Sequence, residues 1–171
     1  MHVLELVRDL ALPDCWVAAG FVRNCVWDHL HGYPASPLPQ DIDVIWYDRG
    51  QALAQQDAAL EHALRAQDAT LNWSVKNQAR MHHRNDDAPY ASASDAMRYW
   101  PEAATAVGVR LSSQDLLEVA APFGLDALFE LIVAPAGQFR TDKHALYLQR
   151  VRDKKWQIVW PRLKIEALDA R

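Results

Sequence analysis

The sequence predicts an α/β (α+β) domain: a small mixed sheet with helices packed against it. Three observations predict it. Short apolar runs at residues 15–19, 41–47 and 71–75 have the length and residue types of strands. Segments between and around them repeat their apolar residues every three or four positions, as in Val3, Leu6, Val7 and Leu10. Half of the 171 residues are hydrophobic, enough for one core. One domain over residues 1–171 is expected, with room for a small C-terminal subdomain from about residue 92.

In chain order, residues 3–12 form a helix that Pro13-Asp14 ends. Strand 15–19 runs into Gly20. A helix follows over 21–30, with Val22, Val26 and Leu30 on one face and Gly32 as its C-terminal stop. Pro34, Pro37 and Pro39 keep residues 33–40 extended and deliver the chain to a strand at Asp41. Residues 51–67 are Ala-rich and helical, with Leu53, Leu60 and Leu64 lining one face. The third strand, 71–75, leads into Lys76, Asn77, Gln78 and Arg80. Lys76 and Arg80 are four apart and share a helix face, either toward phosphates or as exposed charges of an ordinary helix start. Ser94 caps a short helix over 95–100, stopped by Pro101. Runs 105–111 and 116–121 flank Ser112-Ser113-Gln114-Asp115 and make a hairpin. Residues 125–133 return to helical spacing, 142–153 form a basic helix, and Trp156 and Trp160 pack the tail against the body.

The chemistry concentrates in residues 18–47. On a strand, residues two apart share a face, so Asp41 and Asp43 lie side by side while Ile42 and Val44 point to the core. Two neighbouring carboxylates repel unless a cation sits between them, and hard oxygen ligands suit Mg²⁺. Upstream, the start of the Gly20 helix offers free N–H groups and the positive end of a dipole. Gly20 admits a ligand close to the backbone, and Arg23, one turn in, reaches the same anion. A phosphate cradle followed by a metal-binding acid pair is what nucleotidyl transfer needs.

Residues 18–47 resemble the DNA polymerase β-like nucleotidyltransferase superfamily, which has a Gly-rich strand-to-helix turn and then an Asp-x-Asp pair on the next strand. The run Gly20-Phe21-Val22-Arg23-Asn24 is similar to the Gly-x-Val-Arg-Asp turn of tRNA CCA-adding enzymes. The later runs WSVKNQARMH, WPEAATAVGVR and APFGLDALF resemble a bacterial family of small nucleotidyltransferase-like proteins with no assigned substrate. The resemblance implies transfer of an NMP from an NTP to an unknown acceptor hydroxyl, releasing pyrophosphate. It implies Asp41 and Asp43 as catalytic acids and metal ligands, two Mg²⁺ ions, and Gly20, Arg23, Asn24, Lys76, Asn77 and Arg80 as phosphate-binding residues. The superfamily turn has two small residues, which Ala19-Gly20 supplies if the register shifts by one. Its third carboxylate comes from a neighbouring strand. The corresponding position on 71–75 is Ser74, and Asp48 and Asp68 are the nearest acids in sequence.

Composition excludes several classes. Glu5, Arg8 and Asp9 exclude a signal peptide, and no apolar run approaches the roughly 20 residues that cross a bilayer, so a cytoplasmic protein is expected. Cys15 and Cys25 read as small buried hydrophobes, with neither zinc spacing nor a disulfide framework. His82 and His83, adjacent on a helix, diverge too far to hold one ion. Net charge is −4, against bulk nucleic-acid binding. Residues 140–164 carry eight basic side chains against Asp142 and Asp153, a net of +6 that either steers a polyanion or forms a solvated face. Two other readings stay open: a catalytically weak nucleotide-binding or regulatory module of the same fold, and an antitoxin-like interaction protein.

Overall fold

Apolar residues alternate along the second strand, and that alternation sets the layers. The computed structural model describes residues 1–166; the end of the expected 1–171 domain, residues 167–171, lies outside the described residues. Strands β1 (Trp16–Ala18), β2 (Ile42–Trp46), β3 (Trp73–Asn77), β4 (Gly108–Leu111) and β5 (Leu117–Ala120) form one sheet in the order β3-β2-β1-β4-β5. Only β2 and β3 run parallel; the other pairs are antiparallel. Ile42, Val44 and Trp46 face one side with Val17, Val75 and Leu111, all buried. Helix α1 (His2–Asp9) packs on that side through Val3, Leu4 and Val7, and α3 (Ala54–Gln67) through Leu64.

The other face carries Ala18, Asp43, Ile45, Ser74 and Lys76, as the two-residue period requires. Helix α2 (Gly20–Leu30) and the C-terminal segments meet beside it in a second apolar cluster around Trp27, Tyr147, Trp156 and Trp160. Helices α4 (Gln78–Asn85), α5 (Ala93–Met97) and α6 (Asp126–Phe129) fill the connections. Strand β6 (Ile132–Val133) pairs parallel with β7 (Lys164–Ile165), and α7 (His144–Lys154) and α8 (Trp156–Val159) lie between them. Asp28 on α2 locks the tail, accepting from the Trp160 indole at 2.7 Å and from the Ser36 hydroxyl at 2.6 Å. Among the described residues no helix is long and apolar enough to cross a membrane.

The structure departs from the sequence reading at several elements. The chain from Arg49 to Gln51 makes a single 3₁₀ turn and α3 starts only at Ala54, so Leu53 stands outside the helix face and is exposed. Ser92, not Ser94, caps the helix after the polar loop, accepting from the Asp95 N–H at 2.9 Å. Cys25 is exposed, because α2 buries the Arg23–Trp27 side and turns Cys25 outward; Cys15 is buried as expected. The His82 and His83 rings do not diverge but sit 3.8 Å apart between centroids. Lys76 belongs to β3 rather than to a helix, so it does not share a helix face with Arg80. The hairpin β4–β5 turns at Ser112–Asp115 as the sequence indicates.

Candidate functional site

The site forms where β1 hands over to α2. Ala19 caps α2 with φ 53° and ψ −120°, a conformation that glycine adopts freely and alanine only under strain. Its N–H donates to the Val107 carbonyl at 2.9 Å and its carbonyl accepts from the Arg23 N–H at 3.0 Å, which holds the turn in place. The two small residues of the turn are therefore Ala19 and Gly20. A Cβ on Gly20 would meet the Pro39 side chain at 3.5 Å, ordinary contact, so packing does not demand glycine there. Without a side chain, Gly20 exposes the helix N-terminus to a cavity that Arg23 and Asn24 also line.

Asp43 sits in register with Ala18 on β1 and Ser74 on β3, which places the Ser74 side chain beside its carboxylate. Burial, then the charge of Asp41, pushes the Asp43 carboxyl up to about 6, while Ser74, Arg23 and Lys76 pull the other way. Asp41 stands just ahead of the strand and is exposed.

Two cavities meet at Asp43 and share Ala19, Thr105 and Arg150 with it. The first, about 330 Å³, is lined further by Gly20, Arg23, Asn24, Asp41 and Lys154. The second, about 270 Å³, adds Ile45, Ser74, Lys76, Met81 and Trp100. Lys76 is held at 2.7 Å by Glu61 from α3. A larger cavity of about 450 Å³ lies on the opposite face against α1, but its cations, Arg8 and Arg110, are paired with Asp115 and Glu118.

Behind the first cavity is a buried charge cluster that sequence reading did not find. Arg23, only 7 % exposed, packs its guanidinium 5.0 Å from the Trp27 ring centroid and 4.8 Å from that of Trp156. It donates to Thr105 Oγ1 at 3.1 Å and to Asn24 Oδ1 at 2.9 Å. Burial pushes Arg23 down to about 10, against the opposing pull of Glu102. Glu102 is fully buried; its Oε1 accepts from Arg150 Nε at 2.7 Å and its Oε2 has no hydrogen-bond partner. Arg150 also lies over Trp156, 5.7 Å from its centroid. Two guanidinium groups thus share one buried carboxylate and one indole, and both reach the cavity that holds the acid pair. No local pattern marks Arg150 within the basic run 140–164, because tertiary packing alone turns it inward.

The structure brings Gly20, Arg23, Asn24, Asp41, Asp43 and Lys76 to the connected cavities, but not Asn77 and Arg80. The Asn77 side chain accepts from the Ala79 and Asp48 N–H groups and donates to the Asp48 and Gln51 carbonyls, capping α4. Arg80 donates to the buried carboxylate of Asp57, which also accepts from the Trp46 indole and the Asn77 N–H. Asn77 and Arg80 therefore hold structure on the far side of β3.

A family model described as nucleotidyltransferase matches residues 5–165. No curated protein matches the sequence significantly. Among solved structures, the chain is 36% identical, with a TM-score of 0.87, to a protein whose NMR structure reveals a CCA-adding enzyme head domain; the match covers 98% of this chain and 89% of that one. A CCA-adding enzyme in complex with CTP is 14% identical at a TM-score of 0.58, covering 95% of this chain and 38% of that one. The Thermotoga maritima CCA-adding enzyme complexed with tRNA is 15% identical at a TM-score of 0.58, covering 97% and 38%. The chain spans under two-fifths of these last two enzymes, and they share its fold.

Proposed function

This chain belongs to a nucleotidyltransferase family, and on that premise we propose that it transfers an NMP from an NTP to an acceptor hydroxyl. The observation that carries the reading is the meeting at Asp43 of an acid pair with an open helix N-terminus flanked by Arg23 and Arg150. The acceptor oxygen bonds to the α-phosphorus as the bond to the β-phosphate oxygen breaks. Pyrophosphate leaves with the electron pair, and the hydroxyl proton passes to solvent. Gly20 and the α2 N-terminus cradle the leaving phosphates, with Arg23, Arg150 and Lys154 opposing their charge. Arg23 and Arg150 are held by Trp156, Glu102 and Thr105 before substrate arrives, so little reorganisation is needed in the transition state. Similar solved enzymes hold CTP and tRNA, which supports an NTP as donor.

The donor set fits a divalent cation. Asp41 and Asp43 repel each other, and the desolvated Asp43 lacks a dedicated counter-charge of its own. Among the described residues no cluster of three or more His, Cys, Asp or Glu side chains forms, so two carboxylates leave the other positions to water and phosphate oxygens. That is the coordination Mg²⁺ favours. Bound there, the metal would neutralise charge on the attacking and leaving oxygens.

Ser74 beside Asp43 favours a second reading, a nucleotide-binding module with weak catalysis, since no third carboxylate stands at that register. Calorimetric titration of ATP, GTP, CTP and UTP, with and without Mg²⁺, decides between them. The transferase reading expects Mg²⁺-dependent binding to the wild type, lost in the Asp41→Asn/Asp43→Asn double variant, and pyrophosphate release with a suitable acceptor. Tight binding without pyrophosphate release over an acceptor panel would establish the second reading, and no NTP binding would sink both.

A further inference from the structure

The cleft continues past the acid pair. A third cavity of about 440 Å³ adjoins the second and shares Asn85, Trp100 and Pro101 with it. Its walls include the half-buried rings of Tyr99 and Trp100 and the buried ring of Phe139. Tyr99 is braced from behind by Tyr90, 4.8 Å away between centroids. At the rim stands Arg84, exposed and without an ion pair among the described residues. Lys143 is fixed beside it, donating to the Asn85 carbonyl at 2.8 Å and to Asp87 at 2.9 Å. Asp87 is the acid of this cavity, and it is already engaged by Tyr90, Gln138 and Lys143. The lobe therefore offers ring faces and a cationic rim.

The order of residues along β2 gives the direction of the cleft. Asp41 lines the first cavity, Asp43 both, and Ile45 the second, a path of about 13 Å. From there β3 and α4 carry it through Ser74 and Met81 to Asn85 and the third lobe. Displacement at the α-phosphorus is in line, so the attacking oxygen and the leaving pyrophosphate lie on opposite sides of it. With the pyrophosphate over Gly20, the attacking hydroxyl comes from the Ser74 side, and the body of the acceptor lies beyond, toward Trp100.

We infer that the ring-lined lobe is the acceptor subsite and takes a nucleotide unit next to the reactive hydroxyl, its base against Trp100 and Tyr99 and its phosphate on Arg84 and Lys143. The inference rests on the transferase reading above. An apolar acceptor would leave Arg84 unpaired, and an acidic peptide would leave the ring faces uncovered. A nucleotide uses both, as stacking platforms with cationic flanks do elsewhere. The source is either a free mononucleotide or the 3′ end of a single strand, which present the same chemistry.

The test titrates wild type, Trp100→Leu and Arg84→Glu with AMP and with a single-stranded triadenylate bearing a free 3′-hydroxyl. A non-hydrolysable ATP analogue with Mg²⁺ is kept saturating, and its own affinity is measured first. Trp100→Leu is expected to weaken nucleotide binding by about five- to hundredfold. Arg84→Glu is expected to weaken it severalfold, with the affinity for the analogue unchanged in that variant. Arg84 is exposed, so its variant reports even if the Trp100 change unsettles the fold. Tighter binding of the triadenylate than of AMP identifies a strand end; equal binding identifies a free nucleotide. The subsite is overturned if the analogue binds but neither nucleotide does. It is equally overturned if both substitutions leave nucleotide affinity intact, or if an acidic tyrosine-containing peptide binds in their place. Failure of the analogue to bind wild type overturns the transferase reading itself.

Discussion

Replacing Asp43 by Asn removes a charge that the fold keeps at a cost. Burial, with Asp41 adding to it, raises this carboxyl from 3.8 to about 6. The native protein then binds the proton more tightly than the unfolded chain, so stability falls as pH rises from about 3.8 to about 6, and above that the whole penalty stands. At about 1.36 kcal/mol per pH unit the ceiling is about 3 kcal/mol, which the partial exposure of Asp43 brings down to about 1 to 2 kcal/mol. Asn has the same shape and carries no charge to bury. In thermal unfolding at pH 7.5 without divalent ions, Asp43→Asn is expected to melt about 2 to 8 °C above wild type. The gap should close toward pH 4, and Mg²⁺ should raise the midpoint of wild type only. A variant that melts lower at pH 7.5, or a gap unchanged between pH 4 and pH 7.5, would refute the reasoning.

Three further outcomes test the parts of the site separately. Gly20→Ala places a methyl in ordinary contact with Pro39, so stability should hold or rise by up to about 1 kcal/mol. NTP affinity should fall at least tenfold, as calorimetry would show, because the methyl occupies the phosphate cradle. Ala19→Gly relieves the φ 53°, ψ −120° turn and, net of the greater freedom of glycine when unfolded, should add about 0.5 to 2 kcal/mol in urea unfolding. Arg80→Ala leaves Asp57 short of its counter-charge and should cost about 2 to 4 kcal/mol, yet leave NTP affinity unchanged. A loss of NTP affinity in proportion to stability would return Arg80 to the substrate site.

What the sequence made legible was whatever has a local period. Two-residue alternation put Ile42 and Val44 inside and Asp43 on the other face, and the Pro-rich lead-in put Asp41 at the mouth. What escaped it depends on packing between distant segments. Arg150 sits in a basic helix whose sequence does not mark it out, and its contacts with Glu102 and Trp156 turn it into the cleft. Glu102, between Pro101 and Ala103, has no periodic context that forecasts full burial. The run from Lys76 to Arg80 shows a different failure, since its signal was present. Asn is a favoured helix cap, and Asn77 in that role ends the strand one residue after Lys76 and starts α4 at Gln78. Lys76 therefore stays on the sheet face beside Asp43, while Arg80 turns toward Asp57. Spacing alone could pair Lys76 with Arg80, but the capping residue between them leaves Lys76 on the strand beside Asp43 and gives Arg80 to Asp57.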